Sequence, residues 1–291
     1  MSPDYDTYLS PYTWRYGSQD MRCIWSEVYK RKLWRRIWVS LAEVQAGFGL
    51  VSIEQLTDLR QHMNLVDMPR ALEIEAEIHH DLMAELKVFA EQCIIGGGIL
   101  HLGATSTDIE DNADVLRERE SLDLLLKSLK ELLLLFADNI ETWAELAIIG
   151  FTHLQPAEPT TLGYRLAIYA QDLLMDWHNL QSTRNDLCGK GFKGAVGTSA
   201  SYAELLGTDR LDKFEHLLSE QLVLPFFPVT TQVSPRKQDY LLLSHLAGVG
   251  ASLYKFAFDL RFLQSSPIGE LGEPFGKQQV GSSAMPFKRN P

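Results

Sequence analysis

Two hydroxyls and two cations crowd the segment Gly281-Ser-Ser-Ala-Met-Pro-Phe-Lys-Arg-Asn-Pro291, with Ser282 and Ser283 ahead of Lys288 and Arg289. Gly281 permits backbone angles that other residues avoid, while Pro286 and Pro291 interrupt helix and remove donors. A flexible Gly-Ser-Ser segment beside positive charge suits a lid that closes over an anionic substrate. Composition taken alone favours an ordinary polar surface loop. Further back, Pro156 and Pro159 hold Gly150-Phe-Thr-His-Leu-Gln-Pro-Ala-Glu-Pro-Thr-Thr161 extended and present His153 and Gln155 from a rigid turn. A histidine there supplies a proton near neutral pH. In Gly103-Ala-Thr-Ser-Thr-Asp-Ile-Glu-Asp-Asn112, Thr105, Ser106 and Thr107 place hydroxyls and N–H groups at the start of a long helix, ready to hold a carboxylate. The same three residues also make an ordinary N-cap. A fourth stretch, Glu77-Ile-His-His-Asp-Leu-Met-Ala84, carries two adjacent histidines. On one continuous helix they point about 100° apart, so His79 and His80 cannot both face one site.

The elements that must position these groups are helices. Residues 1–17 read as an extended lead-in. A helical pattern runs from Ser18 to about Leu50 through Trp25, Tyr29, Leu33, Ile37 and Leu41. Segments 52–62 and 70–93 follow, and Gly96-Gly97-Gly98 breaks the run. From Thr107 to about Ala147 a Leu-rich stretch without Pro or Gly predicts one long helix, its apolar stripe wide enough for several neighbours. After a break at Gly150 to Pro159, residues 161–187 predict a second long helix. Residues 189–201 read as a loop, 209–221 as a short helix, 222–235 as an extended connection and 236–264 as a third long helix. Period-2 alternation is almost absent. The expected fold is all-α: an N-terminal helical domain over 1–104, then a long-helix bundle over 105–291.

Composition narrows the class. The chain has 291 residues, 45% of them hydrophobic, enough for a sizeable core. No run approaches the roughly eighteen uninterrupted apolar residues of a membrane span, and the N-terminus lacks the basic-then-apolar pattern of a signal peptide. Cys23, Cys93 and Cys188 are too few and too widely spaced for a disulfide framework or a zinc site, so reduced thiols in a cytoplasmic protein are expected. A net charge of -11 argues against a nucleic-acid partner but not against an anionic substrate met by local cations.

The segment 281–291 matches every fixed position of the pattern Gly-Ser-Ser-x-Met-Pro-x-Lys-x-Asn-Pro, and the chain therefore resembles the fumarase/aspartase superfamily. Gly103–Asn112 resembles that family's Thr-Ser-x-Asp-x-x-x-Asn element, and Gly150–Thr161 its Thr-His-x-Gln-Pro-Ala-x-Pro-Thr motif. Four further pieces are similar to the branch that cleaves adenylosuccinate: His80-Asp81, the Arg15-Tyr16 pair, Gln232 in Thr-Thr-Gln-Val-Ser-Pro-Arg-Lys, and Glu273–Val280. Without the resemblance, Arg15 would be one surface arginine among many.

The resemblance implies β-elimination of fumarate from a succinyl-amine through an aci-carboxylate, with no cofactor and no metal. Ser282 is then the base, His153 the general acid, His80 its assistant, and Lys288 a stabiliser of the serine alkoxide. Thr105 and Ser106 would bind substrate carboxylate, and Arg15 and Tyr16 a nucleotide phosphate. Asp81, Gln155, Gln232, Ser283, Met285 and Asn290 complete the expected binding set, with His79 in a binding role at most. His101 is left undecided, and His62, His178, His216 and His245 are read as structural. The implied substrates are adenylosuccinate and the succinyl-carboxamide ribotide of purine synthesis, and the implied assembly is a homotetramer with composite sites and no membrane partner. Family members continue past this loop, so the chain is expected to cover the first two thirds of a family chain, without the C-terminal domain. Two rivals stay open: a sister lyase acting on argininosuccinate or a carboxymuconate, and an inactive fragment that binds or oligomerises.

Overall fold

The computed structural model describes residues 10–290. They fall into two compact units, one formed by residues up to Leu124 with Arg184–Gln238, the other by Leu125–Thr183 with residues from Asp239 on. These units do not follow the 104/105 division, because the longest helix contributes to both.

In the first unit, a single π-helical turn, Tyr12–Tyr16, stands where an extended lead-in was expected. Helices α1 (Gln19–Ile24) and α2 (Glu27–Gly47) follow, capped by the Ser18 and Ser26 hydroxyls. Then come α3 (Ile53–His62), opened by a Ser52–Gln55 capping box, α4 (Met68–Ile78) and α5 (Asp81–Gln92). The apolar face of α2 (Leu33, Trp34, Ile37, Trp38 and Leu41) is buried with Leu56, Leu59, Leu82 and Phe89. Within that core Arg31 and Arg35 both pair with the fully buried Glu85, and Arg35 also donates to the carbonyls of His62 and Leu65. A buried carboxylate between two guanidiniums is tolerated because each charge keeps a partner.

The expected helix over 70–93 is two helices. His79 ends α4 in the left-handed conformation with φ 54°, its N–H bonded to the Glu75 carbonyl, and His80 is extended at φ −147°. A left-handed C-cap is ordinarily signalled by Gly or Asn, so a histidine there left no mark in the sequence. Adjacent side chains diverge by about 100° only on an unbroken helix, and here the helix ends between His79 and His80.

Helix α6 (Ser106–Thr142) has 37 residues and supplies the Leu-rich stretch. The break at 150–159 is a β-hairpin rather than an irregular extended segment: β1 (Ala147–Thr152) pairs antiparallel with β2 (Gln155–Thr161), with a bulge between Ile149 and Phe151. Pro156 and Pro159 are compatible with β2 because a two-stranded sheet leaves every strand an edge on which a missing donor costs nothing. Helix α7 (Leu162–Asp186) follows. A short α8 (Ala200–Leu206), unforeseen in the sequence, and α9 (Leu211–Leu222) lie before α10 (Lys237–Leu263). The all-α expectation thus describes the fold, with the hairpin as its β addition. By length and composition alone α10 is apolar enough to cross a membrane. Its Tyr240, Leu243, Leu253 and Tyr254 are exposed in this chain, while three of its polar side chains bond to α7.

Candidate active site

The candidate residues divide between the two units. In the first, α6 begins at Ser106, and Thr105 precedes it with its N–H donating to the Asp108 carboxylate at 3.1 Å. Asp108 is one turn into the helix and wholly buried. Its two oxygens also accept from Lys190 Nζ, from the N–H groups of Lys193 and Gly194, and from the Tyr202 hydroxyl. Asn112, a further turn along, holds Gly191 through both its amide groups. Together these two side chains fasten the loop after Gly189 against the start of α6. The Thr-Ser-x-Asp-x-x-x-Asn spacing puts Asp108 and Asn112 on one face, which is why that spacing serves here.

With Asp108 and Asn112 turned inward, Ser106 and Thr107 face outward. The Ser106 hydroxyl lies 3.4 Å from His80 Nε2, and Thr107 donates to the Gln232 carbonyl. The structure therefore brings together His80, Ser106 and Gln232 from three separate sequence motifs. On the other side of the His80 ring, Nδ1 is 3.7 Å from the Asp81 carboxylate, which itself accepts from the Leu82 N–H at 2.7 Å. A histidine between a carboxylate and a hydroxyl has the chemistry to take up or give a proton, and the N-terminus of a 37-residue helix beside it favours an anion. His79 is exposed beside it. The described contacts of Arg15 and Tyr16 are with their own turn: the Arg15 guanidinium lies 4.7 Å over the Trp14 ring and Tyr16 packs near Tyr12.

His101 is placed as an interior group. It takes φ 65°, and its Nδ1 accepts the Trp38 indole N–H at 3.0 Å. That bond puts the ring proton on Nε2, and burial holds its pKa below the usual histidine value. Glu110, one turn beyond Ser106 on α6, is pushed up to about 7 by burial, with Asp81, Asp114 and Asp111 adding and Lys30 opposing. Because the folded value exceeds the unfolded one of 4.5, the stability it contributes is fully present below that value and lost as pH rises through 7. Glu110→Gln should therefore raise the melting temperature at about pH 8 and leave it nearly unchanged at about pH 4. An equal gain at both values would contradict this reading.

In the second unit, His153 and Leu154 form the two-residue hairpin turn, with φ of 52° and 61°. Two consecutive positive φ values are the type I′ pattern, normally filled by Asn-Gly. Holding His and Leu there costs on the order of 1 kcal/mol each, so the hairpin must be fixed from elsewhere. Arg165 does part of this, donating to the Ile149 carbonyl at 2.7 Å and pairing with Glu270. His153 lines an open cavity of about 950 Å³ with Phe151, Arg165, Tyr169, Lys255 and Asp259, and Gln155 begins β2 on the far side of the turn.

The segment 281–290 is folded back on itself. A Cβ on Gly281 would lie 2.5 Å from the Lys288 carbonyl oxygen and 2.9 Å from Arg289 Cα, so only glycine allows this approach. The Ser282 Oγ accepts from the N–H groups of Ala284 at 3.4 Å and Met285 at 3.2 Å. Two amides aimed at one hydroxyl oxygen would stabilise that oxygen as an alkoxide. Lys288 N–H donates to the Met285 carbonyl, closing the turn, and Arg289 lies over the Phe275 ring at 5.5 Å. Ser283, Met285 and Asn290 belong to this segment and are all exposed. The sequence gives no sign of Lys190 or Arg165. Asp108 and Asn112 are fixed positions of the Thr-Ser-x-Asp-x-x-x-Asn element, but neither that spacing nor a Thr-x-x-Asp cap at 105–108 distinguishes an exposed carboxylate from a buried one.

Long helices carrying a histidine between a carboxylate and a hydroxyl, with a Gly-Ser-Ser loop whose amides converge on serine, define an all-α lyase fold of the fumarase/aspartase type. The chain belongs to the lyase family: the family described as "Lyase" matches residues 37–291. It is 37% identical over 296 residues to adenylosuccinate lyase of Saccharomyces cerevisiae, covering 99% of this chain and 61% of that protein. The adenylosuccinate lyase of Pyrococcus abyssi is 38% identical over 97% of this chain and 62% of its own length. Among solved structures, fumarate lyase from Mesorhizobium sp. BNC1 superimposes with a TM-score of 0.81 at 26% identity, covering 89% of this chain and 60% of that one. The 3-carboxy-cis,cis-muconate lactonizing enzyme from Pseudomonas putida does so at 0.83 and 27%, covering 96% and 62%. The chain spans about three fifths of the length of the relatives it matches.

Proposed function

We propose that the chain is the fumarate-eliminating portion of an adenylosuccinate lyase, acting on adenylosuccinate and on the succinyl-carboxamide ribotide. The observation that carries the reading is the pair of loop amides on Ser282 Oγ. A serine hydroxyl is a poor base unless its alkoxide is stabilised, and two N–H donors with Lys288 six residues on supply that stabilisation. Ser282 removes the proton next to a carboxylate. The electron pair is held as the aci-carboxylate, then forms the double bond as the C–N bond breaks. His153 gives a proton to the departing nitrogen, and His80 assists from its place between Asp81 and Ser106. Thr105, Ser106 and Lys288 receive the carboxylates, while Arg15 and Tyr16 receive the phosphate. Gln155, Gln232, Ser283, Met285 and Asn290 line the substrate, with His79 and Asp81 at its edge.

The exposed apolar side chains of α10 support a homotetramer in which copies bury those faces and complete one another's sites. A cytoplasmic location suits the three unpaired cysteines. The structural likeness to a muconate lactonizing enzyme favours a second reading, a sister lyase, while the identity to adenylosuccinate lyases favours the first. Parallel assays of fumarate release from adenylosuccinate and from argininosuccinate decide. The proposal expects a specificity ratio above about 10³ for adenylosuccinate, the size of discrimination that a site built around one polar substrate reaches. A preference for argininosuccinate would overturn it.

A further inference from the structure

Three polar contacts join α7 to α10: Tyr169 Oη to Asp259 at 2.9 Å, Ser252 Oγ to Asp176 at 2.6 Å, and Thr183 Oγ1 with His245 Nδ1 at 2.6 Å. On α7 the three positions are seven residues apart, and on α10 they are seven residues apart in the opposite order. Each rung is therefore two helical turns from the next, in one antiparallel register. Sequences between the rungs are rich in Leu, Ala and Phe, and apolar side chains of similar size pack acceptably after a shift of one turn. Polar groups inside a helix pair do not. Each one displaced into apolar surroundings loses its partner, which is how single polar positions fix register in paired helices.

We propose that these rungs are a register lock that sets where His153 and the approach to Ser282 are presented, a positioning role that rests on the lyase reading above. The two groups leave the helix pair at the same end. The hairpin carrying His153 runs directly into Leu162, the first residue of α7, and the chain leaves α10 at Leu263 toward the serine loop. At that end Arg165 adds a terminal clasp, bonded at once to Ile149 of the hairpin and to Glu270 of the departing chain. A slip of one residue moves the helices about 1.5 Å along each other and a slip of one turn about 5.4 Å. Misplacing a proton-transfer group by about 1 Å is enough to lose a hundredfold in rate. Asp176, Thr183, His245 and Ser252 lie outside the lining of the His153 cavity and are thus positioning residues, while Tyr169 and Asp259 form the rung that also lines it.

The test reads register separately from turnover. Asp176→Cys with Ser252→Cys gives an in-register disulfide pair, and Asp176→Cys with Lys255→Cys a pair about one turn out, both mapped by mass spectrometry in the full chain. With the outer rungs intact, the in-register pair should form at least tenfold faster. Removing them with Tyr169→Phe, Thr183→Val and His245→Leu should bring the two rates within about threefold while helix content by circular dichroism stays the same. In cysteine-free positions of the same ladder, the triple variant should lose ten- to a hundredfold in kcat for fumarate release with KM little changed. Restoring Thr183 and His245 should recover most of it. Unchanged disulfide preference in the triple variant overturns the lock, whatever the activity. Lost preference with unchanged kcat overturns the positioning role. Absence of fumarate release in the unmodified chain counts against the lyase reading and leaves the disulfide result to decide the lock.

Discussion

Asp108→Ala should destabilise the chain by about 3–5 kcal/mol, because it leaves a buried charge without its counterpart. Lys190 is wholly buried, and besides Asp108 its ammonium reaches the Gly194 carbonyl at 3.3 Å. Asp108 itself collects a cation, a phenol and three backbone N–H groups. The two halves of this pair are therefore unequal. Lys190→Met leaves the carboxylate with its remaining donors and should cost visibly less than Asp108→Ala. Asp108→Leu with Lys190→Met removes both charges and should recover much of the loss. Against a typical total of about 5–15 kcal/mol, Asp108→Ala brings the protein close to unfolding. Urea titration checks the order: the midpoint should fall most for Asp108→Ala, with an unchanged slope. Equal midpoints for the two single variants would refute the asymmetry. The Tyr202 phenol, whose pKa is raised well above its usual value by burial and then by Asp108, belongs to the same buried cluster.

Ser282→Ala should remove about two to four orders of magnitude from kcat, the range for loss of a general base, with little change in KM. The expected split follows from when the interaction is made. In the proposed mechanism the hydroxyl would act on the C–H bond chiefly in the transition state, whereas Thr105, Ser106 and Lys288 would hold the substrate carboxylates in ground and transition states alike. Stability should not change, since Ser282 bonds within its own short turn. A large rise in KM with kcat preserved would make Ser282 a binding residue instead.

The all-α fold was legible in the sequence, and the candidate site residues could be named because they lie in short contiguous motifs. The long helices over 107–147, 161–187 and 236–264 were readable from apolar periodicity to within a few residues of α6, α7 and α10. What was not legible depended on backbone conformations that residue type does not announce. His79 in a left-handed cap and the His153-Leu154 turn both use residues that do not favour positive φ, so the residue pattern predicts one helix where two exist and a plain extended break where the hairpin lies. The partners of Asp108 lie about eighty residues away at Lys190 and Lys193, where no local pattern links them. The seven-residue spacing of Tyr169, Asp176 and Thr183 was present in the sequence. Without the matching spacing of His245, Ser252 and Asp259 brought alongside, it was scattered polarity on an amphipathic helix.

The most direct test of the account is the product balance when adenylosuccinate is incubated with the purified chain, followed by chromatography and mass spectrometry. Elimination predicts AMP and fumarate in a one-to-one ratio, with no water incorporated into the four-carbon product. AMP formed with a hydrated or amino four-carbon acid in place of fumarate, or substrate recovered intact, would contradict it.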